Sequence, residues 1–207
     1  MAVKSRARKL RRAVFLDKDG TLVEDVPFNV DARRLRLGPG ADEALPRLAR
    51  AGFVLAVVSN QSGVARGYFA EDALAGVARD LGALVAGLGV TLDGFYYCPH
   101  HPEGRVAAYR RDCECRKPRP GLLERAARDL DVDLAASWLV GDILDDVEAG
   151  RRAGCRTILI DNGNETEWRL ARERLPHHAV ANLAEAARLI VALDVVEPSA
   201  AAGRQVA

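Results

Sequence analysis

The chain has 207 residues, of which 49% are apolar and 29% are charged, and its 30 basic and 29 acidic side chains give a formal net charge of +1. This composition excludes a disordered, collagen-like or disulfide-dense chain, and the balanced charge argues against a surface built for nucleic acid. It is typical of a globular protein with one domain and a sizeable core. Because the sequence contains no run of about 18 apolar residues, we expect no membrane span.

The two ends of the chain differ in character from the rest. The first twelve residues are rich in Lys and Arg, and the apolar run that follows, AVFL, meets Asp17 too soon for a signal peptide. We therefore expect a cytoplasmic protein with a basic, flexible N-terminus over residues 1–12 and a flexible tail over residues 194–207. No long apolar surface stripe stands out, so we also expect a monomer that binds neither nucleic acid nor membranes.

Short aliphatic runs alternate with longer segments of helical period along residues 13–193. This alternation predicts an α/β domain with a mostly parallel sheet. Five strands are predicted, at Ala13–Leu16, Val54–Ser59, Gly94–Cys98, Trp138–Val140 and Thr157–Ile160. Five helices are predicted, at about Ala41–Ala51, Ala70–Leu88, Gly121–Leu130, Val147–Ala153 and Leu183–Leu193. Because ligands bind beyond the carboxyl ends of such strands, the residues that follow each strand are the candidate site.

Two carboxylates, Asp17 and Asp19, follow the first predicted strand in the segment DKDGT. Residues two apart lie on the same side of an extended segment, and Gly20 permits the turn after them. Carboxylates this close repel each other unless a cation lies between them, and Mg²⁺ prefers oxygen ligands. Asp142, after the fourth strand, would add a third carboxylate. A solvated turn is the competing interpretation, but the motif follows a buried type of strand and lacks the downstream Glu of an EF-hand loop.

Two other segments carry hydrogen-bond donors that suit a phosphate group. Ser59 and Asn60 offer a hydroxyl and backbone N–H groups that can hold phosphoryl oxygens. Lys117 offers a compact positive charge and Arg116 a bidentate one, and both suit phosphate. Taken singly, SNQSG fits a polar turn and RKPRP fits a solvated basic loop. Together with the carboxylates, these segments predict a combined phosphate and metal site.

Three of the four cysteines lie within 18 positions of one another. Cys98, His100, Cys113 and Cys115 form CxH and CxC pairs that are separated by 12 residues. Three thiolates and one imidazole are a closed tetrahedral set for Zn²⁺, which predicts a structural ion in a small loop insertion over residues 98–115. His101 is the competing ligand, although two adjacent residues rarely both reach one ion.

The segments DKDGT, SNQSG, CRKPRPG and GDILDD, in that order, resemble the four motifs of the haloacid dehalogenase superfamily of phosphatases. YYCPHHPEG, CECRKPRPG and SNQSGVARG more closely resemble the bacterial D-glycero-D-manno-heptose 1,7-bisphosphate 7-phosphatases and the related histidinol-phosphatase group. The resemblance covers about residues 13–193. It implies a three-layer, Rossmann-like fold without a large cap domain, and a Mg²⁺-dependent phosphomonoester hydrolase that acts on a small sugar phosphate, first of all heptose 1,7-bisphosphate.

The resemblance also implies residue roles. Asp17 would be the nucleophile, and Asp19 the general acid and then the general base. Ser59 and Lys117 would stabilise the transferring phosphoryl group, while Asp17, Asp142 and the backbone carbonyl of Asp19 would hold Mg²⁺. The family's zinc ligands match the same four Cys and His residues. The residues that would bind the substrate are Asp25, Val26, Pro27, Phe28, Asn60, Gln61, Ser62 and Arg116.

Two departures from the family concern specificity. Ile143 stands where the heptose phosphatases usually carry a Lys that touches the substrate, and the loop EDVPFNVDARRLRL differs from theirs. Histidinol phosphate or another small phosphomonoester is therefore the alternative substrate. A non-enzymatic phospho-acceptor of the response-regulator kind is disfavoured, because its acceptor Asp would lie on the third strand. A zinc-stabilised binding module that has lost turnover is disfavoured, because the residues that it would lose are all retained: Asp17, Asp19, Lys117 and Asp142.

Overall fold

The computed structural model describes residues 10–196, which contain a six-stranded parallel sheet. The strands are β1 Ala13–Leu16, β2 Val54–Asn60, β3 Gly94–Cys98, β4 Trp138–Gly141, β5 Arg156–Ile160 and β6 His178–Val180. Their order across the sheet is β3-β2-β1-β4-β5-β6, and each neighbouring pair is parallel. The predicted α/β fold with a parallel central sheet is therefore confirmed.

Helices cover both faces of the sheet. They are α1 Ala41–Arg50, α2 Gly63–Arg66, α3 Ala73–Ala86, α4 Gly121–Leu130, α5 Leu144–Arg152 and α6 Leu183–Val196. Val14 and Leu16 of β1 share a core with α1, α3 and α6, whereas Ala13 and Phe15 share a core with α4. Because alternate strand residues point to opposite faces, a strand that is covered on both faces is apolar at every position, as β1 is.

The sheet reverses its winding direction between β1 and β4. The chain moves outward from β1 to β3 on one side, and from β4 to β6 on the other. In open parallel sheets, the crevice beyond the carboxyl ends of the strands at such a switch point is the usual ligand site. Asp17 is the first residue after β1 and Asp142 is the first residue after β4.

Several elements differ from the prediction, and α3 covers only Ala73–Ala86 of the predicted Ala70–Leu88. α5 begins at Leu144, three residues before the predicted Val147, because Asp145 and Asp146 form a polar first turn that hides the helical period. The short helix α2 and the edge strand β6 were not predicted, since four and three residues are too few to show a period.

The ends of the described chain carry specific contacts. The guanidinium of Arg12 donates to Asp194 at 2.5 Å and to the carbonyl of Ala51 at 2.8 Å. α6 continues to Val196, three residues beyond the predicted end. Most of the two predicted flexible ends, residues 1–9 and 197–207, lies outside the described residues. Within residues 10–196, no helix combines the length and the apolar content needed to cross a bilayer.

Candidate active site and metal centre

Three carboxylates meet beyond the ends of β1 and β4. One oxygen from each of Asp17, Asp142 and Asp146 lies within 4.8 Å of the others, and all three residues are buried. Burial, and then the charge of Asp17, raise the pKa of Asp142 to about 6. Negative charges gathered in a buried place need a counter-charge, and carboxylate oxygens are the ligands that Mg²⁺ prefers. The donor set therefore fits a hard divalent cation.

Lys117 supplies a counter-charge from the chain itself. Its ammonium lies 2.6 Å from Oδ1 of Asp17 and 2.5 Å from Oδ1 of Asp146. It also donates to the carbonyl of Val58 at 2.9 Å. Burial lowers the pKa of Lys117, but the carboxylates of Asp146 and Asp17 outweigh burial and raise it. The ammonium therefore stays charged while it is fully surrounded by protein.

Asp146 was not among the predicted site residues. It lies in the first turn of α5, four positions after Asp142, and its side chain is 1% exposed. The available signal was the GDILDD segment itself, in which a carboxylate follows Asp142 at helical spacing. The sequence predicts that α5 begins only at Val147, so the helical spacing of Asp142 and Asp146 is not apparent from it.

Asp142 is held by residues from two other segments. Oδ1 of Asp142 accepts from the Thr21 hydroxyl at 3.2 Å, and Oδ2 accepts from the Asn164 amide at 2.7 Å. A Cβ at Gly20, where φ is 78°, would lie 2.0 Å from Oδ2 of Asp142, so only glycine permits this approach. Asn164 was also missed by the sequence analysis, although it follows β5 at the same edge of the sheet as the other site residues.

Asp19, Ser59 and Gln61 converge as predicted. The Gln61 amide nitrogen donates to Oδ2 of Asp19 at 3.2 Å and to the Ser59 hydroxyl at 2.9 Å. The buried ammonium of Lys18 forms an ion pair with Oδ1 of Asp19. Burial is the largest influence on the Asp19 carboxyl and raises its pKa, although Lys18 acts in the opposite direction.

Asn60 and Arg116 have partners on the backbone. The Asn60 amide donates to the carbonyl of Lys117 and accepts from its N–H, both at 3.0 Å. Arg116 donates to the carbonyl of His100 at 3.4 Å. Asn60 thus fixes the segment that carries Lys117, while Arg116 lies against the loop of the cysteine cluster.

A cavity of 180 Å³ opens beside Asp19, two residues after Asp17. Its lining contains six of the eight predicted substrate-binding residues, together with the predicted catalytic Asp19 and with Gly63. The six are Asp25, Pro27, Phe28, Asn60, Gln61 and Ser62. Among the described residues, the predicted Val26 and Arg116 are not part of this lining. The carbonyl of Val26 instead accepts from the Asn29 N–H at 3.2 Å and closes a turn.

The cysteine cluster brings together the four predicted residues. Sγ of Cys98 lies 3.5 Å from that of Cys113 and 3.2 Å from that of Cys115. Nδ1 of His100 lies 3.7 Å from Sγ of Cys98 and 3.4 Å from Sγ of Cys115. One sulfur or nitrogen atom of each residue lies within 4.8 Å of the others, and three thiols with one imidazole fit a tetrahedral zinc site.

The competing ligand, His101, turns away from the cluster. Its Nδ1 accepts from the Glu103 N–H at 3.1 Å, and its Nε2 lies 3.1 Å from the guanidinium of Arg66. Both ring nitrogens therefore have partners outside the cluster. The structure favours His100 as the fourth member.

Sequence comparisons place this chain among phosphatases. A family model described as "HAD-hyrolase-like" matches residues 114–186. The D-glycero-beta-D-manno-heptose-1,7-bisphosphate 7-phosphatase of Pasteurella multocida is 43% identical over 155 residues, which cover 74% of this chain and 84% of that protein. The protein of the same name from Escherichia coli K12 is 42% identical over 152 residues, which cover 73% of this chain and 80% of that protein.

Solved structures agree with the sequence comparisons. An HAD-like phosphatase from Mesorhizobium loti has a TM-score of 0.77 and 34% identity, over 89% of this chain and 88% of its own. The D,D-heptose 1,7-bisphosphate phosphatase of B. bronchiseptica, complexed with magnesium and phosphate, has a TM-score of 0.71 and 30% identity, over 88% of this chain and 99% of its own. The chain is therefore similar to HAD-like phosphatases both in sequence and in fold.

Proposed function

Because this chain belongs to the D-glycero-D-manno-heptose 1,7-bisphosphate 7-phosphatase family of haloacid dehalogenase-like hydrolases, we propose that it removes the 7-phosphate of that sugar bisphosphate, with Asp17 as the nucleophile. The family's reaction is phosphomonoester hydrolysis. The observation that carries the proposal is that Asp17, directly after β1, lies 2.6 Å from the Lys117 ammonium, while Asp19 helps to line the nearby cavity.

The first step transfers the phosphoryl group to the protein. The carboxylate of Asp17 attacks phosphorus, the bond from phosphorus to the sugar oxygen breaks, and the carboxyl of Asp19 donates its proton to that oxygen. In the second step, a water molecule attacks the phosphorus of the aspartyl phosphate and gives its proton to the Asp19 carboxylate. The bond to Asp17 breaks, and inorganic phosphate leaves.

Fixed charges support both steps. Lys117, which Asp146 and Asp17 hold in place, would neutralise charge on the transferring group, and the Ser59 hydroxyl would donate to one of its oxygens. The residues that would hold Mg²⁺ are Asp17, Asp142 and the backbone carbonyl of Asp19. When bound, the ion would offset negative charge on the phosphoryl group.

Zinc would have a structural role in this proposal. Cys98, His100, Cys113 and Cys115 would hold the ion with no position left open for water. The cluster ends one residue before Arg116 and two before Lys117, so a bound ion would hold the segment that carries the cationic groups. The four ligands would thus preorganise phosphate binding without taking part in the chemistry.

A phosphate-release panel tests the proposed function. Purified protein with Mg²⁺ is given heptose 1,7-bisphosphate in both anomeric forms and, in parallel, histidinol phosphate. We expect the highest kcat/KM with one anomer of the heptose, and we expect Asp17→Asn to abolish turnover while fold and zinc content stay intact. The proposal is wrong if no small phosphate ester is hydrolysed, or if Asp17→Asn remains active.

The same panel decides between the two substrate classes. Ile143, which is half-buried at the start of α5, brings no positive charge for a second phosphate. This observation favours the alternative, a small monophosphate such as histidinol phosphate. A higher kcat/KM for histidinol phosphate than for either heptose anomer would support that alternative and leave the proposed chemistry in place.

A further inference from the structure

Two exposed aromatic side chains contact each other near the active-site cavity: Phe28, which lines it, and Tyr68, which packs against Phe28. Phe28 is 44% exposed and Tyr68 is 55% exposed. Phe28 lines the 180 Å³ cavity together with Asp19, the proposed proton donor to the leaving group. Aromatic side chains are common in the lining of ligand pockets, and a ligand in the cavity would cover the exposed ring of Phe28.

The backbone of Phe28 is in an uncommon conformation. Its φ is 55°, in the left-handed region, which a bulky side chain rarely adopts. Such a conformation persists where the surroundings hold it, and it is most frequent at functional sites. The contacts of the Phe28 ring therefore indicate what keeps it at the cavity.

Tyr68 provides one of these contacts. The two ring centroids are 4.6 Å apart and the ring planes meet at 64°, an edge-to-face arrangement that aromatic pairs prefer. Tyr68 is itself fixed through its N–H, which donates to the carbonyl of Gly63 at 2.9 Å. It follows Gly67, whose φ of 77° turns the chain out of α2.

Gly63 provides the space for the Phe28 ring. A Cβ at Gly63 would lie 3.2 Å from Cδ1 of Phe28 and 2.3 Å from Cε1 of Phe69. The ring of Phe28 thus packs close to the start of α2, with Tyr68 against it.

The cavity lining has two chemical characters. Pro27 and Phe28 are apolar, whereas Asp25, Gln61 and Ser62 offer hydrogen-bonding groups. A sugar ring matches this combination, because its C–H groups form an apolar face and its hydroxyls a polar edge. An open-chain or one-carbon leaving group presents no such face.

We propose that Phe28 lies against the C–H face of a ring-shaped leaving group, and that Tyr68 is the positioning residue that holds Phe28 there. The pair thereby favours phosphate esters of cyclic sugars over esters without a ring. This inference rests on the proposed function, since it assumes that Asp17 receives the phosphoryl group.

The test compares a ring substrate with a ringless one. Values of kcat and KM are measured for heptose 1,7-bisphosphate and for acetyl phosphate, in the wild type and in Tyr68→Ala. We expect Tyr68→Ala to raise KM for the heptose about 3- to 10-fold, since one aromatic contact is lost. We expect kcat to stay within about twofold, because the contact is equally strong in the ground and transition states. The acetyl phosphate constants should not change.

Further variants separate positioning from simple loss of structure. Tyr68→Phe keeps the ring and should restore wild-type KM. Phe28→Ala should show the same selective loss, and the Phe28→Ala/Tyr68→Ala double variant should lose no more than Phe28→Ala alone. Trp168→Ala removes another exposed aromatic side chain, one that is 52% exposed, and should change neither substrate.

Three outcomes for the variants would overturn the inference. Equal effects on both substrates, no effect on the heptose, or a Tyr68→Phe variant that behaves like Tyr68→Ala would each contradict it. Hydrolysis of acetyl phosphate without hydrolysis of the heptose by the wild type would reject the ring selectivity while the proposed chemistry stands. Hydrolysis of neither ester would reject both.

Discussion

The ammonium of Lys117 lies 2.6 Å from the Oδ1 atom of Asp17, and the two residues are 2% and 8% exposed. The contact joins residues 100 positions apart in the chain. It connects the first strand with the segment that follows the cysteine cluster. One buried ion pair therefore links the proposed nucleophile to the segment that follows the proposed zinc site. The same Lys117 ammonium also pairs with Asp146.

Lys117→Met should lower both stability and turnover. The change leaves Asp17 and Asp146 buried without their counter-charge, and breaking a buried pair in this way costs about 3–5 kcal/mol. Loss of a preorganised positive group at the phosphoryl site should lower kcat by about 100-fold or more. Urea unfolding and phosphate release measure the two effects. As a control, Arg47→Met removes the exposed pair with Glu43 and should cost less than about 1 kcal/mol. A Lys117 variant as stable as this control would contradict the prediction.

Asn164→Ala should weaken the binding of Mg²⁺ at the proposed site. The Asn164 amide donates to Oδ2 of Asp142 at 2.7 Å, and removal of such an outer partner typically lowers metal affinity about 10- to 100-fold. We expect a higher Mg²⁺ concentration for half-maximal activity, with kcat nearly restored at saturating Mg²⁺. Asn182→Ala, which removes an acceptor for the Glu185 N–H far from the site, should leave the Mg²⁺ dependence unchanged. An identical Mg²⁺ titration for wild type and Asn164→Ala would show that this hydrogen bond does not orient Asp142.

Gly20→Ala should damage the site more than a glycine replacement elsewhere. The new Cβ would lie 2.0 Å from Oδ2 of Asp142, in addition to the backbone strain at φ 78°. Gly52→Ala is the matched control, because Gly52 has φ 82° but no atom within 4 Å of its Cβ position. The control should lose only the strain energy, about 1–3 kcal/mol, and keep its activity. Thermal unfolding and phosphate release compare the two variants, and equal activities would disprove the steric explanation.

Cys113→Ser should release zinc and destabilise the loop. The variant loses one of four predicted ligands, and a structural zinc site contributes directly to folding stability. Each kcal/mol lost should lower Tm by about 2–4 °C in a chain of this size. We expect KM to rise more than kcat falls, because the loop positions the phosphate-binding groups. Cys155→Ser, which changes a buried cysteine outside the cluster, should keep the zinc content of the wild type. Unchanged zinc content and Tm in Cys113→Ser would contradict the zinc assignment.

Local features of this protein follow from its amino-acid sequence alone. The bounds of β1, β3 and α4 match the prediction, because apolar runs and helical periods depend on neighbours within a few positions. The motif residues Asp17, Asp142 and Lys117 could be chosen in advance for the same reason, since each directly follows a recognisable strand or motif. The spacing of the Cys and His residues likewise predicted that Cys98, His100, Cys113 and Cys115 lie together.

Which of these residues contact one another depends on how distant segments of the chain pack together. β4 lies between β1 and β5 in the sheet, and the packing of the segments beyond these strands brings Asp146 beside Lys117 and Asn164 beside Asp142, pairs that are 29 and 22 positions apart. The structure also favours His100 over His101 as a member of the cysteine cluster, because Arg66 and the Glu103 N–H hold the His101 ring away from the cluster. Such contacts follow from the packing of distant segments, and no local pattern in the sequence encodes them.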